Sequence, residues 1–243
     1  MQLALMTWRE VEAYLKRSDG IIIPIGSTEQ HGPMGLIGTD ALCADAIAVG
    51  AADKADSLCA PPITYTPAPF NLAFPGSVSI SPRLLVALVE EIIAGLTSQG
   101  FRRFYVLNGH GANLEPLGRV ELPNGAVMRV KSWWDFQPVN DLRATYYGAW
   151  EGMHATPSEV AITQAIHRVI AVPDEAKDPP ERLSPDFIAA HAGDKHGPPD
   201  EHRARFPDGR VGSHSALATP EHGEALLAAA IQSVAEDYLS FLQ

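Results

Sequence analysis

Hydrophobic residues along the chain fall into two patterns, which predict strands and helices. Short continuous apolar runs at residues 21–25 and 104–107 are typical of strands buried on both faces of a sheet, and residues 126–131 resemble a third strand. Segments with a capping residue or a proline at their start and apolar residues at helical spacing predict helices. These helices are expected at residues 8–17, 40–52, 82–99, 157–169 and 220–242.

This alternation of strands and helices predicts an α/β protein with a mostly parallel central sheet covered by helices.

Two segments lack the apolar periodicity of a helix or a strand. Residues 60–78 are rich in proline and aromatic residues and are predicted to form an irregular loop. Residues 173–213 are predicted to run over the surface, as a contact for substrate or for another subunit. No internal repeat is visible, and we expect a single domain over residues 1–243.

Composition narrows the class of protein. The chain has 243 residues, of which 46% are hydrophobic, and a formal net charge of −11. An acidic balance argues against nucleic acid or an anionic membrane as the main partner, because both need clustered Lys and Arg. The N-terminal apolar stretch is too short for a signal sequence and no apolar run could span a membrane, so we expect a cytoplasmic protein. Cys43 and Cys59 are too few for a disulfide framework or a cysteine-based zinc site.

Polar clusters follow the predicted strands, where parallel sheets bind ligands. The first is Gly-Ser-Thr-Glu-Gln-His-Gly-Pro followed by Gly-Thr-Asp, and it contains Glu29, His31 and Asp40. Carboxylates and imidazoles suit Zn²⁺ or Mn²⁺, so these three residues are candidate metal ligands. The alternative is an ordinary turn, with Glu29 in solvent and Asp40 at the start of a helix.

Two further clusters lie downstream. Asn-Gly-His-Gly-Ala-Asn places His110 between glycines directly after a strand, where the ring can face a cleft or lie in a surface loop. In the third cluster, His154 precedes a helix and is a candidate acid/base group or a surface residue. Glu159 is a candidate ligand, although Thr156 and Glu159 also have the spacing of a capping box.

Tryptophans provide the candidate contacts to a substrate. Trp133 and Trp134 follow the third strand, and Trp150 lies four residues before His154. Their alternative roles are core or interface packing, and of the first pair Trp134 is the candidate substrate-binding residue.

Taken together and in this order, the three clusters resemble the creatininase family, the creatinine amidohydrolases and their relatives. The resemblance runs from about residue 1 to residue 170 and is expected to continue to the end of the chain. The resemblance implies a three-layer α/β/α sandwich. It also implies a centre of two divalent metal ions per chain, Zn and/or Mn, with Fe as another option. By residue-to-residue match, one ion is held by Glu29 and His110 and the other by His31 and Glu159, with Asp40 between them.

The resemblance also implies a reaction. A metal-activated hydroxide would attack the carbonyl carbon of a small amide, and His154 would supply the proton that the leaving nitrogen needs. Trp150 matches a tryptophan of the substrate lid, and homo-oligomers, commonly hexamers, are expected.

Two departures bear on the substrate. Ala112 and Met153 occupy positions at which creatininase itself has glutamates. A small cyclic, creatinine-like amide is the first candidate, and a formamide-type deformylase or a peptide-processing hydrolase of cofactor biosynthesis is the alternative. From another class, the chain could be a non-catalytic metal-binding subunit.

Overall fold

Four parallel strands form one sheet in the order β2-β1-β3-β4 in a computed structural model that describes residues 1–193 and 195–243. The strands are β1 (Gly20–Ile25), β2 (Leu58–Cys59), β3 (Arg103–Asn108) and β4 (Val127–Ser132). The two central strands run in register from Gly20 beside Arg103 to Ile25 beside Asn108. Their carboxyl ends therefore meet at one edge of the sheet.

Four of the five predicted helices begin at a capping residue or a capping box. The helices of the described residues are α1 (Trp8–Leu15), α2 (Thr39–Lys54), α3 (Pro82–Gln99), α4 (Leu114–Leu117), α5 (Gln137–Tyr146), α6 (Pro157–Ile166), α7 (Asp174–Lys177), α8 (Pro185–His191), α9 (Pro199–Arg205) and α10 (Pro220–Phe241). Ser81 and Thr219 accept hydrogen bonds from backbone N–H groups at the starts of α3 and α10, and proline follows each of them. These caps satisfy donors that a helix start leaves unpaired.

Each face of the sheet has its own apolar core. Ile21, Ile23 and Ile25 of β1 lie in the core that includes residues of α1, α3 and α4. Ile22, together with Tyr105 of β3, lies in the opposite core with residues of α2, α5, α6 and α10. Because side chains alternate across a strand, one continuous apolar run serves both layers. The predicted three-layer α/β/α sandwich with a parallel sheet is confirmed.

Several boundaries differ from the sequence-based prediction. Helix α6 ends at Ile166 rather than near residue 169, because His167 leaves the helical region with φ −130° and ψ −84°. The sequence did not predict β2, α4 or α5, and α5 begins after Phe136, which provides no side-chain cap. The described part of residues 173–213 contains three short helices, α7, α8 and α9. Within the described residues, no helix is long and apolar enough to cross a membrane.

Candidate metal centre

The six candidate residues of the three clusters meet at the carboxyl ends of β1 and β3. Glu29 and His31 follow β1, His110 follows β3, and Asp40 and Glu159 lie in the first turns of α2 and α6. None of the six, including His154, is more than 7% exposed. Glu29 is therefore not a solvated turn residue and His110 is not a surface histidine.

Two glycines allow the strand ends to approach helix α2. A Cβ atom at Gly26 would lie 2.2 Å from the backbone nitrogen of Ala41, and one at Gly109 would lie 2.4 Å from the carbonyl oxygen of Asp40. Both neighbours are backbone atoms that cannot rotate away. Glycine at these two positions thus lets Asp40 reach the ends of both central strands.

One group of ligand atoms consists of Glu29, Asp40 and His110. His110 Nδ1 lies 3.2 Å from Glu29 Oε1 and 3.1 Å from Asp40 Oδ2. All three ligand atoms lie within 4.8 Å of one another. Two carboxylates and one imidazole at this spacing are a suitable ligand set for Zn²⁺ or Mn²⁺.

A second group shares Asp40 with the first. His31 Nε2 lies 2.9 Å from Asp40 Oδ1 and 3.8 Å from Glu159 Oε1. Asp40 therefore turns one carboxylate oxygen toward each group. This is the arrangement that a carboxylate bridging two cations requires.

A third group overlaps the first two. Glu29, His31 and His154 also offer ligand atoms within 4.8 Å of one another. His154 Nδ1 lies 3.6 Å from Glu29 Oε1, and the His31 and His154 rings are 4.6 Å apart between centroids. The next residue, Ala155, has a left-handed backbone with φ 55°, and Ser215 Oγ donates to its carbonyl at 2.5 Å. A strained backbone held in this way fixes the position of His154.

In each of the three histidines, one ring nitrogen binds a backbone carbonyl. His31 Nδ1 lies 3.1 Å from the carbonyl oxygen of Glu29, His110 Nε2 lies 2.8 Å from that of Pro67, and His154 Nε2 lies 2.7 Å from that of Gln30. A carbonyl can only accept, so it fixes the proton on that nitrogen. The other nitrogen then faces the carboxylates, which is how ligating histidines are usually oriented.

The charge of the centre favours cations. Glu29 Oε1 and Asp40 Oδ2 are buried, and each lies within 3.2 Å of His110 Nδ1. Burial alone would lower the pKa of His31, but the carboxylates of Asp40 and Glu159 outweigh it and raise that pKa to about 10. Burial likewise opposes a protonated His110, yet Glu29 and Asp40 raise its pKa well above the usual value. Without metal, the carboxylates thus draw protons onto the imidazoles, and the residues present fit bound cations.

Glu159 combines the two roles that the sequence left as alternatives. Its Oε1 accepts a hydrogen bond from the backbone N–H of Thr156 at 2.5 Å, which completes a capping box at the start of α6. The same oxygen faces His31. Burial raises the pKa of the Glu159 carboxyl to about 7 against the opposing effect of His31.

A cavity of about 200 Å³ opens beside the centre. Its walls include Asp40, His110, His154, Glu159, Trp134 and Arg143. Trp134 thus lies where a substrate contact was predicted. Trp150 is not part of the described wall: it packs beside His214, with the guanidinium of Arg182 4.3 Å from its ring centroid.

Sequence reasoning missed residues that orient the ligands. Asn71 is fully buried and its Nδ2 donates to Glu29 Oε2 at 3.0 Å. Its Oδ1 accepts from Gln30 Nε2 at 2.8 Å. Asn71 lies in the loop predicted only as irregular, and no local pattern marks it. Asn108, by contrast, stands in the second motif, and its Oδ1 accepts from the backbone N–H of His110.

Comparison with known proteins shows which proteins this chain is similar to. A family model described as Creatininase: Creatinine amidohydrolase matches residues 4–238. The creatinine amidohydrolase of Pseudomonas putida is 26% identical over 95% of this chain and 93% of its own length. A solved structure described as Creatininase Mn superimposes with a TM-score of 0.76 at 24% identity, covering 99% of this chain and 98% of its own.

Two other relatives align over shorter stretches. The 3-dehydro-scyllo-inosose hydrolase of Thermotoga maritima is 37% identical over 44% of this chain and 34% of its own length. The mycofactocin precursor peptide peptidase of Mycolicibacterium smegmatis is 38% identical over 40% of this chain and 41% of its own length. These matches, with the family model, confirm the resemblance drawn from the motifs and the expectation of an enzyme.

Proposed function

Because the chain belongs to the creatininase family, we propose that this metal-dependent amidohydrolase cleaves the C–N bond of a small amide at a centre of two divalent cations. A cyclic, creatinine-like amide is the first candidate. The observation that carries the proposal is the position of Asp40, whose two oxygens each reach a separate group of buried ligands. Family membership supports the reaction class, and the ligand geometry supports the number of ions.

Five side chains would hold the two cations. Glu29 and His110 would bind one ion, His31 and Glu159 would bind the other, and Asp40 would bind both. Zn²⁺ and Mn²⁺ both accept this set of nitrogen and oxygen ligands, and so does Fe²⁺. When bound, such a pair lowers the pKa of a water toward neutrality and polarises a carbonyl group.

The residues around the ligands keep this centre in order. Asn71 donates to Glu29 Oε2, so the carboxylate presents Oε1 to His110. The backbone N–H of Thr156 donates to Glu159 Oε1, the oxygen that faces His31, and so fixes the direction of that carboxylate. Partners of this kind typically change metal affinity or activity by about 10- to 100-fold.

His154 is the proposed proton donor to the leaving nitrogen. The carbonyl of Gln30 holds a proton on Nε2, so Nδ1 is the atom that gains and gives up a proton. This nitrogen faces Glu29, and the ring lines the cavity. An imidazole is the side chain best suited to act as both acid and base near neutral pH.

Other substrates define the alternatives within the same chemistry. A formamide-type deformylase or a peptide-processing hydrolase would use the same ligands, and the similarity to a mycofactocin precursor peptide peptidase supports the second. A cavity of about 200 Å³ favours a small molecule or the end of a chain over a bulky substrate. The non-catalytic alternative would keep the cations without turnover.

The test combines metal content with a substrate panel. The protein is stripped with a chelator, reloaded separately with Zn²⁺ or Mn²⁺, and assayed on creatinine, simple lactams, formamides and short peptides. We expect about two ions per chain and hydrolysis of at least one class. His154→Gln should keep the metal and slow hydrolysis by roughly 100-fold or more, whereas the exposed His167→Gln should match the parent. Metal without turnover of any compound would support the non-catalytic alternative.

The assembly and the location of the protein stay predictions. A homo-oligomer, a hexamer by resemblance, and a cytoplasmic location are expected from the sequence. Light scattering of the purified protein measures the first directly.

A further inference from the structure

An arginine forms part of the cavity wall. Arg143 comes from α5, on a segment that none of the three motifs includes. Among the described residues of the wall it is the only Lys or Arg, whereas Asp40 and Glu159 belong to the candidate centre. Its side chain is 20% exposed. A charged side chain that is largely removed from water is unfavourable unless other groups pair with it or accept its hydrogen bonds.

Three neighbours fix the guanidinium without using all its donors. Nε donates to Glu151 Oε1 at 2.9 Å, and Nη1 donates to Asn140 Oδ1 at 2.8 Å. The ring of Trp133 lies beside it, with 5.9 Å from the guanidinium carbon to the ring centroid. Nη2 donates no hydrogen bond to any residue that the structure describes.

Glu151 is the residue that positions Arg143. Its side chain is 12% exposed, and besides Arg143 its Oε1 accepts a hydrogen bond from Ser158 Oγ. Ser158 precedes Glu159 in the first turn of α6. The guanidinium is therefore tied to the same helix start that carries a candidate metal ligand, which fixes its position relative to the centre.

The N–H groups of Arg143 that remain unused indicate the chemical class of the ligand. One N–H on Nη1 and two on Nη2 lie in the plane of the guanidinium, and a planar fork of this kind matches the two oxygens of a carboxylate. A neutral carbonyl would use only part of it. Hydrogen bonds to a charged partner are also the stronger ones in a partly desolvated pocket.

We propose that Arg143 binds a carboxylate of the substrate while the scissile amide lies at the candidate metal centre across the same cavity. The substrate is then an amide that also bears a carboxylate. This inference rests on the proposed amidohydrolase function and narrows its substrate class. The carboxylate belongs either to a small acid, such as a carboxylated lactam or an N-acyl amino acid, or to the C-terminus of a short peptide.

Matched pairs of compounds test this assignment. Each pair differs only in the carboxylate: 5-oxoproline with 2-pyrrolidinone, N-formylglycine with N-formylglycinamide, and a dipeptide with its C-terminal amide. The readout is the ratio of kcat/KM for the charged member to that for the neutral member, in metal-loaded protein. Arg143→Gln should lower this ratio by roughly 10- to 100-fold, mainly through KM, because a charge-assisted hydrogen bond is lost. The pair that shows the effect distinguishes a small acid from a peptide end.

Control variants separate binding from folding. Arg143→Lys keeps the charge but not the fork and should recover only part of the ratio. Arg17→Gln removes an exposed arginine that pairs with Asp56 and should leave the ratio unchanged. Metal content and thermal unfolding of each variant show that the site is intact. An unchanged ratio in Arg143→Gln would overturn the assignment.

A binding measurement keeps the two proposals distinct. If no compound is hydrolysed, the proposed function fails for this panel, but calorimetric titration with the same pairs still tests Arg143. Parent protein should then bind the charged member more tightly than the neutral one, and Arg143→Gln should lose that preference. A preference that persists in the variant would mean that the carboxylate binds the metal alone, and it would overturn the assignment.

Discussion

Asp40 reaches two groups of ligands with one carboxylate, because Oδ1 faces His31 and Oδ2 faces His110. At the scale of the residue this is the feature on which the proposed centre depends. Burial acts to raise the pKa of the Asp40 carboxyl, but His31 and His110 together outweigh it and lower that pKa well below its usual value. The Asp40 carboxylate is therefore ionised at neutral pH and able to bind cations.

Asp40→Asn tests the shared role. The amide has the same size but one oxygen and no charge, so we expect both ions to be lost together and hydrolysis to fall by more than about 100-fold. Metal content by mass spectrometry and the rate on the best substrate are the two measurements. Asp45→Asn, a half-buried aspartate of the same helix, is the control and should keep both values. Loss of one ion alone would contradict the bridging role.

Glu159→Gln separates the ligand role from the cap. Glutamine still offers an oxygen to the N–H of Thr156, so the free energy of unfolding should change by about 1 kcal/mol or less. Without the charge, metal content should drop and hydrolysis should slow. Glu10 caps α1 through Thr7 in the same way and is exposed, so Glu10→Gln is the matched control and should leave metal content intact. Full metal content in Glu159→Gln would reduce this residue to a cap.

The ligands and their helpers were not equally predictable. Glu29, His31, Asp40, His110 and Glu159 stand in motifs whose glycines and residue spacing mark them. Asn71 and Arg143 lie in segments without such a pattern, and only the folded chain brings them to the site. Contacts between residues far apart in the chain leave no local signal.

At the scale of the element, the close approach of the strand ends to α2 is the sensitive feature. Gly109→Ala would push a Cβ atom against the carbonyl of Asp40, and the first turn of α2 would have to move. We expect a loss of stability of about 1–3 kcal/mol and a lower metal affinity. Denaturant unfolding and metal titration measure both effects.

Helix α3 supplies the control for that substitution. Gly95 has no atom within 4 Å of an added Cβ. Gly95→Ala should therefore raise stability by about 0.5–1 kcal/mol, since alanine suits a helix interior better, and should leave metal affinity unchanged. Equal behaviour of the two variants would mean that the approach to α2 is not tight.

Local signals explain which elements the sequence predicted. The starts of α1, α3, α6 and α10 depend on a capping residue and often a following proline, which act within one turn. Strands β1 and β3 were visible because both faces are buried. Strand β2 has only two residues, and α5 begins after Phe136, which provides no side-chain cap, so both lack the local signals of the predicted elements.

At the scale of the whole molecule, the parallel sheet assembles the centre. Residues that are far apart in sequence converge because β1 and β3 are adjacent and end together. The sheet and the place of the site were therefore predictable. The short helices within residues 173–213 were not predictable from the sequence. His196 and His202 of this segment pack against Phe70, which lies more than a hundred residues earlier, and such distant contacts leave no local pattern.

The charges of the centre should make the stability of the metal-free protein depend on pH, and bound metal should remove this dependence. In metal-free protein the pKa of His31 is raised to about 10, above its ordinary value near 6.5. A raised histidine pKa contributes stability below about pH 6.5, and that contribution is lost as the pH rises toward 10. We expect the urea midpoint of metal-free protein to fall between pH 7.5 and 10 by more than that of metal-loaded protein, in which a cation replaces the proton. Parallel curves would contradict the protonated centre.

Anomalous diffraction from crystals of metal-loaded protein tests the proposed centre most directly. The expected map has two peaks about 3.5–4 Å apart, one beside Glu29 and His110, the other beside His31 and Glu159, with Asp40 between them. A single peak, or peaks only at other histidines of the chain, would contradict it.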